Sequence, residues 1–356
     1  MEVIIKENIS YPEETISIPY PANCKAKDLQ YFESVFEGTV RACKIMELGD
    51  VYANWELILW KNGKMLPEGF AHPWIGDNLK NAKKDYAKVR IKRLLRKKII
   101  VNDPVAWCID GYSTGGYYHW ITEILPRLWM IKEYLPGLKF AIPDYFMIKW
   151  PFVNEFFDLL NIKNLLIIDN RHNYLLKHLV LPTRAGDPFF RQNIPLAAGI
   201  NWFKNSALSV SSAFKGNRLY ISRSRANHRK VINETDILPV LKKFDFEVIC
   251  LEDYPLADQI SICSKAQVIM GLHGAGLVNM VFLPVNGKVI EIRPRKIYHM
   301  YNCFHTLSYH TDAEYNVLFC DYAPSPLEGD RRIDDHSVVI DPALLEIELN
   351  SLIYNV

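Results

Sequence analysis

The sequence predicts an α/β protein with two domains, each built around a parallel sheet. Three observations support this prediction. The chain has 356 residues, a length that suits about two domains. Hydrophobic residues make up 49% and charged residues 23%, so two cores can be buried and an intrinsically disordered chain is excluded. Short strands alternate with helices of about 10–15 residues in two successive series, which is typical of two Rossmann-like domains.

Residues 1–100 are the least regular part of the chain. The run Trp55–Trp60, followed by Asn62-Gly63, predicts a strand pair closed by a hairpin turn. The basic run from Lys88 to Lys98 has two interpretations: a solvated face of a strand or helix, or a patch that faces anionic lipid or a lipid-linked phosphate. We assign residues 1–204 to an N-terminal domain that carries an irregular N-terminal extension.

The regular elements start near residue 99. The first series has helices that begin near Tyr117 and in FVNEFFDLLN, and its strands are KKIIV, AWCID, LKFAIP, NLLIID and LLKHLVLP. Residues 194–213 are predicted to form the helix that leads into a second domain, 205–340. This domain has the helices ETDILPVLKKF, LADQISICSKA and GLVNMVFLP, and its strands are RLYISR, EVICLE, QVIMG and KVIEIRP. Asp341-Pro342 starts a C-terminal helix within 341–356, which we expect to pack back on the N-terminal domain.

Charge and cysteine usage narrow the class of protein. The net charge of +2 makes a histone-like grip on nucleic acid unexpected. The seven cysteines show no spacing typical of a zinc site, so we expect reduced thiols and no bound metal. The first residues do not read as a signal peptide, and no run reaches the ~18 apolar residues of a membrane span. These features predict a cytoplasmic protein, peripheral at the inner face of the membrane if the basic run binds lipid.

The strongest local signal is a glycine-rich loop between a strand and a helix, in Val268–Leu277. Its backbone can approach a ligand closely, and the N–H groups that open the next helix favour an anion such as a pyrophosphate. The residues that would face this anion are His273, Gly274, Ala275 and Gly276. The loop is neither GxGxxG nor a Walker loop, so neither NAD nor ATP is indicated. The alternative is a structural turn whose histidine is satisfied within the fold.

Two further groups of residues follow strands of the same predicted sheet. RLYISR ends in Arg223 and is followed by Arg229 and Lys230. Their cationic groups suit phosphate oxygens, although a solvated basic loop is the alternative. In KVIEIRP, Glu291 is placed to accept hydrogen bonds from ribose hydroxyls, or else it is a capping or ion-paired carboxylate. Because ligands bind at the carboxyl ends of parallel strands, these groups and the glycine loop predict one donor site.

A third signal lies at the start of the helix near Tyr117. His119, Glu123 and Arg127 recur at i, i+4 and i+8, on the face opposite the apolar stripe Ile121–Leu128. A histidine and a carboxylate one helical turn apart form a workable general-base unit. The alternatives are an ordinary surface pair and a metal site, for which no third ligand is evident.

Together these segments resemble glycosyltransferase family 61. The resemblance rests on GGYYHWITEILPRL (115–128), YISRSRANHRKVINE (220–234), VIMGLHGAGLVNMVFLP (268–284) and KVIEIRP (288–294), and it extends from about residue 105 to 295. It implies a GT-B architecture, in which two Rossmann-like domains face a cleft, the C-terminal domain holding a nucleotide sugar and the N-terminal domain the acceptor. It also implies an inverting reaction that needs no divalent metal.

The resemblance also implies roles for individual residues. Those it places at the donor are Arg223, Arg229, His273, Gly274 and Gly276. His119 and Glu123 match a His-x-x-x-acid pattern that faces the cleft. Eukaryotic members often have Asp at the position of Glu123, so which of the two residues is the base stays open.

The expected function is therefore that of an inverting glycosyltransferase. It would use a nucleotide-diphosphate sugar, a UDP-sugar by preference, as co-substrate without any cofactor. The acceptor would be a hydroxyl of a glycan or lipid-linked glycan in bacterial surface polysaccharide biosynthesis. The main alternative is a non-catalytic nucleotide-sugar-binding or assembly subunit of a polysaccharide complex. An oxidoreductase lacks its dinucleotide fingerprint here, and a serine hydrolase at Ser222 lacks a nucleophile elbow. The sequence leaves the sugar, the acceptor and the oligomeric state open.

Overall fold

The computed structural model describes residues 10–32, 36–70, 94–186, 191–295, 302–311, 313–324 and 336–354, together with residues 80, 83, 84 and 87. The chain divides into two compact units. Unit 1 consists of Met1–Thr15 and Thr39–Phe203, and unit 2 of Ile16–Gly38 and Lys204–Val356. Each unit contains a sheet with parallel strands, so the predicted α/β class is confirmed, although the sheet of unit 1 is mixed and not parallel throughout.

Unit 1 is organised around a mixed sheet. The first eleven strands of the chain are β1 (Ser10–Tyr11), β2 (Glu14–Ser17), β3 (Glu37–Val40), β4 (Cys43–Leu48), β5 (Val51–Ala53), β6 (Leu59–Lys61), β7 (Lys64–Met65), β8 (Lys97–Ala106), β9 (Lys139–Pro143), β10 (Leu165–Ile168) and β11 (His172–Pro182). β2 and β3 pair with each other, and the rest form one sheet in the order β10-β9-β8-β11-β5-β6-β7, with β4 also on β11 and β1 on β4. The neighbours from β10 to β11 are parallel and the other pairs antiparallel. The irregular N-terminal extension therefore adds antiparallel strands to a parallel centre.

One helix of unit 1, α1, carries the predicted His-x-x-x-acid pattern over residues 117–130. It has an α-helical turn at Tyr117–His119, a wider π-helical stretch at Trp120–Ile124 and a second α-helical part at Leu125–Met130. Pro126 lacks the N–H that a regular α-helix would donate, and π-helical turns are frequent at functional sites. The predicted apolar stripe is fully buried. Further helices with described bounds are α2 (Tyr145–Lys149), α3 (Phe152–Leu159) and α4 (Asn193–Leu208), with 3₁₀ turns at Pro67–Gly69, Gly111–Gly115 and Leu135–Gly137.

Unit 2 is a doubly wound sheet with one antiparallel edge strand. Its strands are β12 (Arg218–Ile221), β13 (Phe246–Ile249), β14 (Val268–Leu272), β15 (Lys288–Pro294), β16 (Glu314–Tyr322) and β17 (Val338–Val339), in the order β13-β12-β14-β15-β16-β17. Its helices are α5 (Glu234–Lys243), α6 (Leu256–Lys265), α7 (Cys303–Ser308) and α8 (Pro342–Tyr354), with 3₁₀ helices at Ala26–Tyr31, Leu251–Asp253 and Ala275–Phe282. The strand order reverses between β12 and β14, and α/β sheets bind ligands beyond the carboxyl ends of the strands at such a point.

Two segments join a different unit from the one expected. Residues 16–38, assigned above to the N-terminal domain, lie in unit 2, where the Ala22 N–H donates to Tyr315 O at 2.9 Å and the Asn23 amide bonds the backbone of Val317. The C-terminal helix α8 also packs within unit 2. Its buried leucines are part of the unit 2 core, and they are Leu345, Leu349 and Leu352.

Several local expectations need correction. The Asn62-Gly63 hairpin turn is present, with φ of 50° and 75°, but β6 starts only at Leu59 because Leu57 has a left-handed φ of 62°. The strand AWCID ends at Ala106. The helix after the glycine loop is a 3₁₀ helix.

Three further expectations concern the basic run Lys88–Lys98, the cysteines and membrane-spanning helices. Residues 88–93 of the basic run lie outside the described residues, and Arg96 at its end forms a two-pronged ion pair with Glu56. All seven cysteines are free; Cys24 and Cys250 are half-buried and the others buried. Among the described helices, none has both the length and the apolar character that a bilayer crossing requires.

Candidate functional site

The first constellation lies in unit 2 at the point where the strand order reverses. Arg223 follows β12 and Gly274 follows β14, and the two strands are parallel neighbours. The α-carbon of Gly274 lies directly against the guanidinium of Arg223, since a β-carbon there would come within 2.7 Å of Cζ. The φ of Gly274 is 168°, which is extended backbone, so glycine is needed at this position for the close approach and not for its conformation. The predicted convergence of the two loops is thus present in the structure.

Main-chain carbonyls fix the Arg223 guanidinium in place. Its Nε donates to Arg229 O at 2.8 Å and its Nη2 donates to His228 O at 3.1 Å. Burial and the like charge of Arg229 lower the pKa of Arg223 to about 10. Arg229 itself has a left-handed φ of 53°, and its Nε is buried with no hydrogen-bond partner in the described part of the chain. Two neighbouring guanidiniums at a sheet edge form a site for an anion.

His273, Glu291 and Tyr315 form a hydrogen-bonded chain behind this site. Nδ1 of His273 contacts one carboxylate oxygen of Glu291, and the Tyr315 hydroxyl donates to the other. Glu291 has no exposed surface. Both oxygens of Glu291 have hydrogen-bond partners inside the fold, which favours a structural carboxylate; the ribose role considered for it stays a prediction.

The groups around His273 determine its protonation state and therefore whether its ring can donate a hydrogen bond to a ligand. Burial lowers the pKa of His273, and the contact with Glu291 opposes this without reversing it, while Arg229 and Arg293 lower it further. A neutral imidazole that donates from Nδ1 presents Nε2 as an acceptor. The predicted hydrogen bond from His273 to a phosphate therefore requires that His273 take up a proton when the anion binds.

The remaining residues predicted for the donor lie around these two loops. The main chain of Lys230 is bound next to β17, through Ser337 Oγ at 3.1 Å and the Val338 N–H at 2.8 Å. Ala275 and Gly276 open the 3₁₀ helix, whose first N–H groups have no acceptor within the helix. The Ser222 hydroxyl donates to Glu234 Oε2 at 2.9 Å, so the structure gives it no nucleophile's environment.

The second constellation lies in unit 1 at the start of α1. His119 Nδ1 lies 3.0 Å from Glu123 Oε1, as the i, i+4 spacing predicts. Glu123 is only 7% exposed, so the interpretation as an ordinary surface pair is wrong. A β-carbon on Gly115 would lie 2.5 Å from Cδ2 and 2.8 Å from Nε2 of His119, so the ring rests on this glycine. Gly116 has a positive φ of 96°, which a side chain rarely adopts.

Two residues that sequence reasoning missed complete this constellation. Arg184 binds Glu123 Oε2 with one nitrogen and Asp110 Oδ2 with the other, and all three side chains are buried. Arg127 Nη2 lies 3.0 Å from Asp110 Oδ2, and Arg127 Nε donates to Glu123 O at 3.0 Å. Asp110 lies four residues beyond the end of β8 and Arg184 two beyond the end of β11, and these strands are parallel neighbours. That shared sheet edge is the signal that would have found them.

The buried charges in this second constellation stabilise one another. Burial by itself raises the pKa of Asp110, but Arg184 and Arg127 outweigh it, so the pKa lies below its ordinary value. The neighbouring carboxylates raise the pKa of Arg184 despite its burial. Across the described residues, no three His, Cys, Asp or Glu side chains converge as metal ligands.

Comparison with known proteins matches the part of the chain that carries residues of both constellations. Residues 117–290, just under half of the chain, match the family model described as Glycosyltransferase 61. The matched range includes α1 with His119 and Glu123, and both loops of the unit 2 site. It confirms the resemblance to glycosyltransferase family 61 that the three motifs indicated.

The relatives are eukaryotic enzymes. The chain is 26% identical over 211 residues to Alpha-1,3-arabinosyltransferase XAT2 of Oryza sativa subsp. japonica, covering 53% of this chain and 36% of that protein. It is 33% identical over 87 residues to the EGF domain-specific O-linked N-acetylglucosamine transferase of Drosophila melanogaster, 24% of this chain and 15% of that one. It is 33% identical over 97 residues to Protein O-linked-mannose beta-1,4-N-acetylglucosaminyltransferase 2 of Mus musculus, 26% and 17%. The matched part thus spans well under two thirds of each relative's length.

Proposed function

We propose that this protein is a glycosyltransferase that transfers a sugar from a nucleotide-diphosphate sugar to an acceptor hydroxyl, with inversion and without a metal. The observation that carries the proposal is the partly buried guanidinium of Arg223. It is fixed against Gly274 at the carboxyl edge of unit 2, and no described carboxylate forms an ion pair with it. A partly buried cation whose partners are carbonyls suits a ligand that supplies negative charge. The family match supports a diphosphate in that position.

The chemistry assigned to unit 2 is stabilisation of the leaving group. As the acceptor oxygen bonds to the anomeric carbon, the bond from that carbon to the phosphate oxygen breaks, and its electron pair stays with the nucleoside diphosphate. Arg223, Arg229 and the first N–H groups of Ala275–Phe282 face this growing charge. Lys230 is an additional cation from the same loop.

The chemistry assigned to unit 1 is removal of the acceptor proton. The His119–Glu123 pair joins a partly buried imidazole to a buried carboxylate next to a glycine-rich turn. A positioned base contributes typically ~10²–10⁴-fold to such a reaction. The proposal assigns donor and acceptor to different units, as in a GT-B architecture.

The identity of the substrates is proposed on broader grounds. The named relatives are an arabinosyltransferase and N-acetylglucosaminyltransferases, which supports transfer to a glycan or glycosylated acceptor. We propose a UDP-linked donor, and a glycan or lipid-linked glycan acceptor in bacterial surface polysaccharide synthesis on the cytoplasmic side of the membrane.

The test is release of nucleoside diphosphate from UDP-, GDP-, CDP- and TDP-sugars, with and without glycan acceptors. Wild-type protein should release one diphosphate in an acceptor-dependent way. Arg223→Ala should lower the rate by ~10²–10³. Arg225→Ala is the matched control, because Arg225 lies in the same loop but is 60% exposed and pairs with Asp253. Nucleotide binding without turnover would instead indicate a non-catalytic subunit.

A further inference from the structure

The hydrogen-bond partners and the exposure of each side chain distinguish the roles of the residues in the unit 1 constellation. Glu123 is contacted at Oε1 by His119 and at Oε2 by Arg184, so each carboxylate oxygen faces a donor inside the fold. The side chain of Glu123 is 6% exposed, and that of His119 is 19% exposed. An acceptor hydroxyl arriving from outside therefore meets the imidazole before the carboxylate.

We propose that His119 is the base, acting through Nε2, that Glu123 orients it, and that Arg184 is the positioning residue that fixes Glu123. This rests on the proposed glycosyltransferase function and resolves which member of the pair takes the proton. The Nδ1–H of His119 donates to Glu123, which sets the tautomer and leaves Nε2 in the basic form. In the step itself, the acceptor O–H proton moves to Nε2 as the new glycosidic bond forms, and the departing diphosphate retains the electron pair.

Arg184 suits this role because its two terminal nitrogens bind two different carboxylates. One nitrogen binds Glu123 and the other binds Asp110, so Glu123 is tied to a second carboxylate on a neighbouring strand end. Asp110 is in turn bound by Arg127. Two anions and two cations thus alternate, and Glu123 can stay ionised at 7% exposure without uncompensated charge.

The charged groups described around His119 come from three elements. Glu123 and Arg127 belong to α1, Asp110 follows β8, and Arg184 and Arg191 follow β11. Arg191 lines the same small void as Glu123 and Arg184 and bonds the Tyr118 hydroxyl at 3.1 Å. Arg184 binds the Glu123 carboxylate at Oε2, whereas His119 contacts Oε1. Removal of Arg184 should leave a carboxylate that no longer holds the ring in one orientation.

The experiment compares Arg184→Gln with Arg127→Gln. Both remove a buried cation that binds Asp110, but only the first removes a contact to the Glu123 carboxylate. Arg184→Gln should lower kcat by roughly 10- to 100-fold, by analogy with the loss of an outer hydrogen-bond partner of a metal-binding histidine. The acid limb of its rate profile should also move to higher pH, while KM for the donor stays near the wild-type value. Arg127→Gln should lower Tm to a similar degree with the acid limb in place, and Arg184→Lys should recover part of kcat.

Two further measurements keep the inference testable if Arg184→Gln folds poorly or if no sugar transfer is detected. Glu123→Gln keeps the shape of the carboxylate and should reproduce the kcat loss with a smaller effect on folding. Histidine ¹⁵N NMR should show His119 protonated at Nδ1 in the wild type and a mixture of tautomers in Arg184→Gln, whether or not sugar is transferred. Equal kcat losses in both arginine variants, or an unchanged tautomer in Arg184→Gln, would overturn the inference. Absence of acceptor-dependent diphosphate release from the wild type would instead refute the proposed function.

Discussion

Replacing Gly274 by alanine tests the anion site without removing any charge. A β-carbon at this position would come within 2.7 Å of Cζ of Arg223, so the guanidinium must move away. The atoms displaced are the far end of a flexible side chain, and the backbone at Gly274 is extended, so the fold itself should tolerate the change. We therefore expect a Tm close to wild type and a misplaced Arg223.

The loss of binding can be estimated from the hydrogen bonds that Arg223 would give to a diphosphate. A hydrogen bond to a charged group is worth about 1.5–3 kcal/mol. Because each 1.4 kcal/mol is a factor of ten, losing one such bond should raise Kd by about 10- to 150-fold. The assay is isothermal titration calorimetry, with whichever of UDP, GDP, CDP and TDP the wild type binds most tightly.

Gly276→Ala is the matched control for this experiment. A β-carbon on Gly276 would meet Ile221 and Leu251 at 3.5 Å, which is ordinary van der Waals contact. The control should lose much less affinity than Gly274→Ala, because its methyl displaces no guanidinium and alanine keeps the backbone N–H that this position offers to the anion. Wild-type affinity in Gly274→Ala, or equal losses in both variants, would refute the assignment of Arg223 to the diphosphate.

Two further predictions concern the histidines. Gly115→Ala should displace the His119 ring, because Cδ2 of that ring would lie 2.5 Å from the new methyl. We expect kcat to fall about tenfold or more. The control Gly111→Ala adds a methyl in open space and should leave kcat unchanged. Burial lowers the pKa of His305 from 6.5 to about 4, so the unfolded chain binds this proton at higher pH than the folded protein does. The free energy of unfolding should therefore fall as pH drops from 6.5 to 4, by up to ~3 kcal/mol from this group. Urea titrations across that window should give a shallower pH dependence for His305→Gln, and an unchanged slope would contradict the assignment.

The unit 2 site could be predicted from the sequence because its parts are local. Arg223 and the glycine loop each follow directly on a strand with a clear apolar pattern. The strands themselves, β12 and β14, are short and were recognised with small shifts at their ends. In a doubly wound sheet both carboxyl ends lie at one edge whatever the order of the strands, so convergence needed no knowledge of pairing.

The unit 1 site could be predicted only in part because half of it depends on strand order. The His119–Glu123 contact follows from helical spacing within one element. Asp110 and Arg184 are separated by 74 positions and meet because β11 returns to lie beside β8. Nothing in the apolar pattern specifies that crossover. The same limit explains Glu291, whose partner Tyr315 comes from β16, a strand that sequence analysis did not assign.

The two units contain the same imidazole–carboxylate pairing in different electrostatic surroundings, and this difference assigns their chemistry. His119 Nδ1 faces Glu123, and His273 Nδ1 faces Glu291. Around His273, two arginines and burial favour the neutral ring, and the second oxygen of its carboxylate is taken by a neutral tyrosine. An incoming diphosphate reverses that balance, because a buried anion favours protonation of a neighbouring imidazole. Around His119, the second oxygen of the carboxylate is taken by Arg184, whose charge Asp110 balances in turn. Under the proposed function, the ring in unit 2 gains a proton when the diphosphate binds, and the ring in unit 1 accepts a proton from the acceptor hydroxyl. These are the two proton transfers that such a reaction requires.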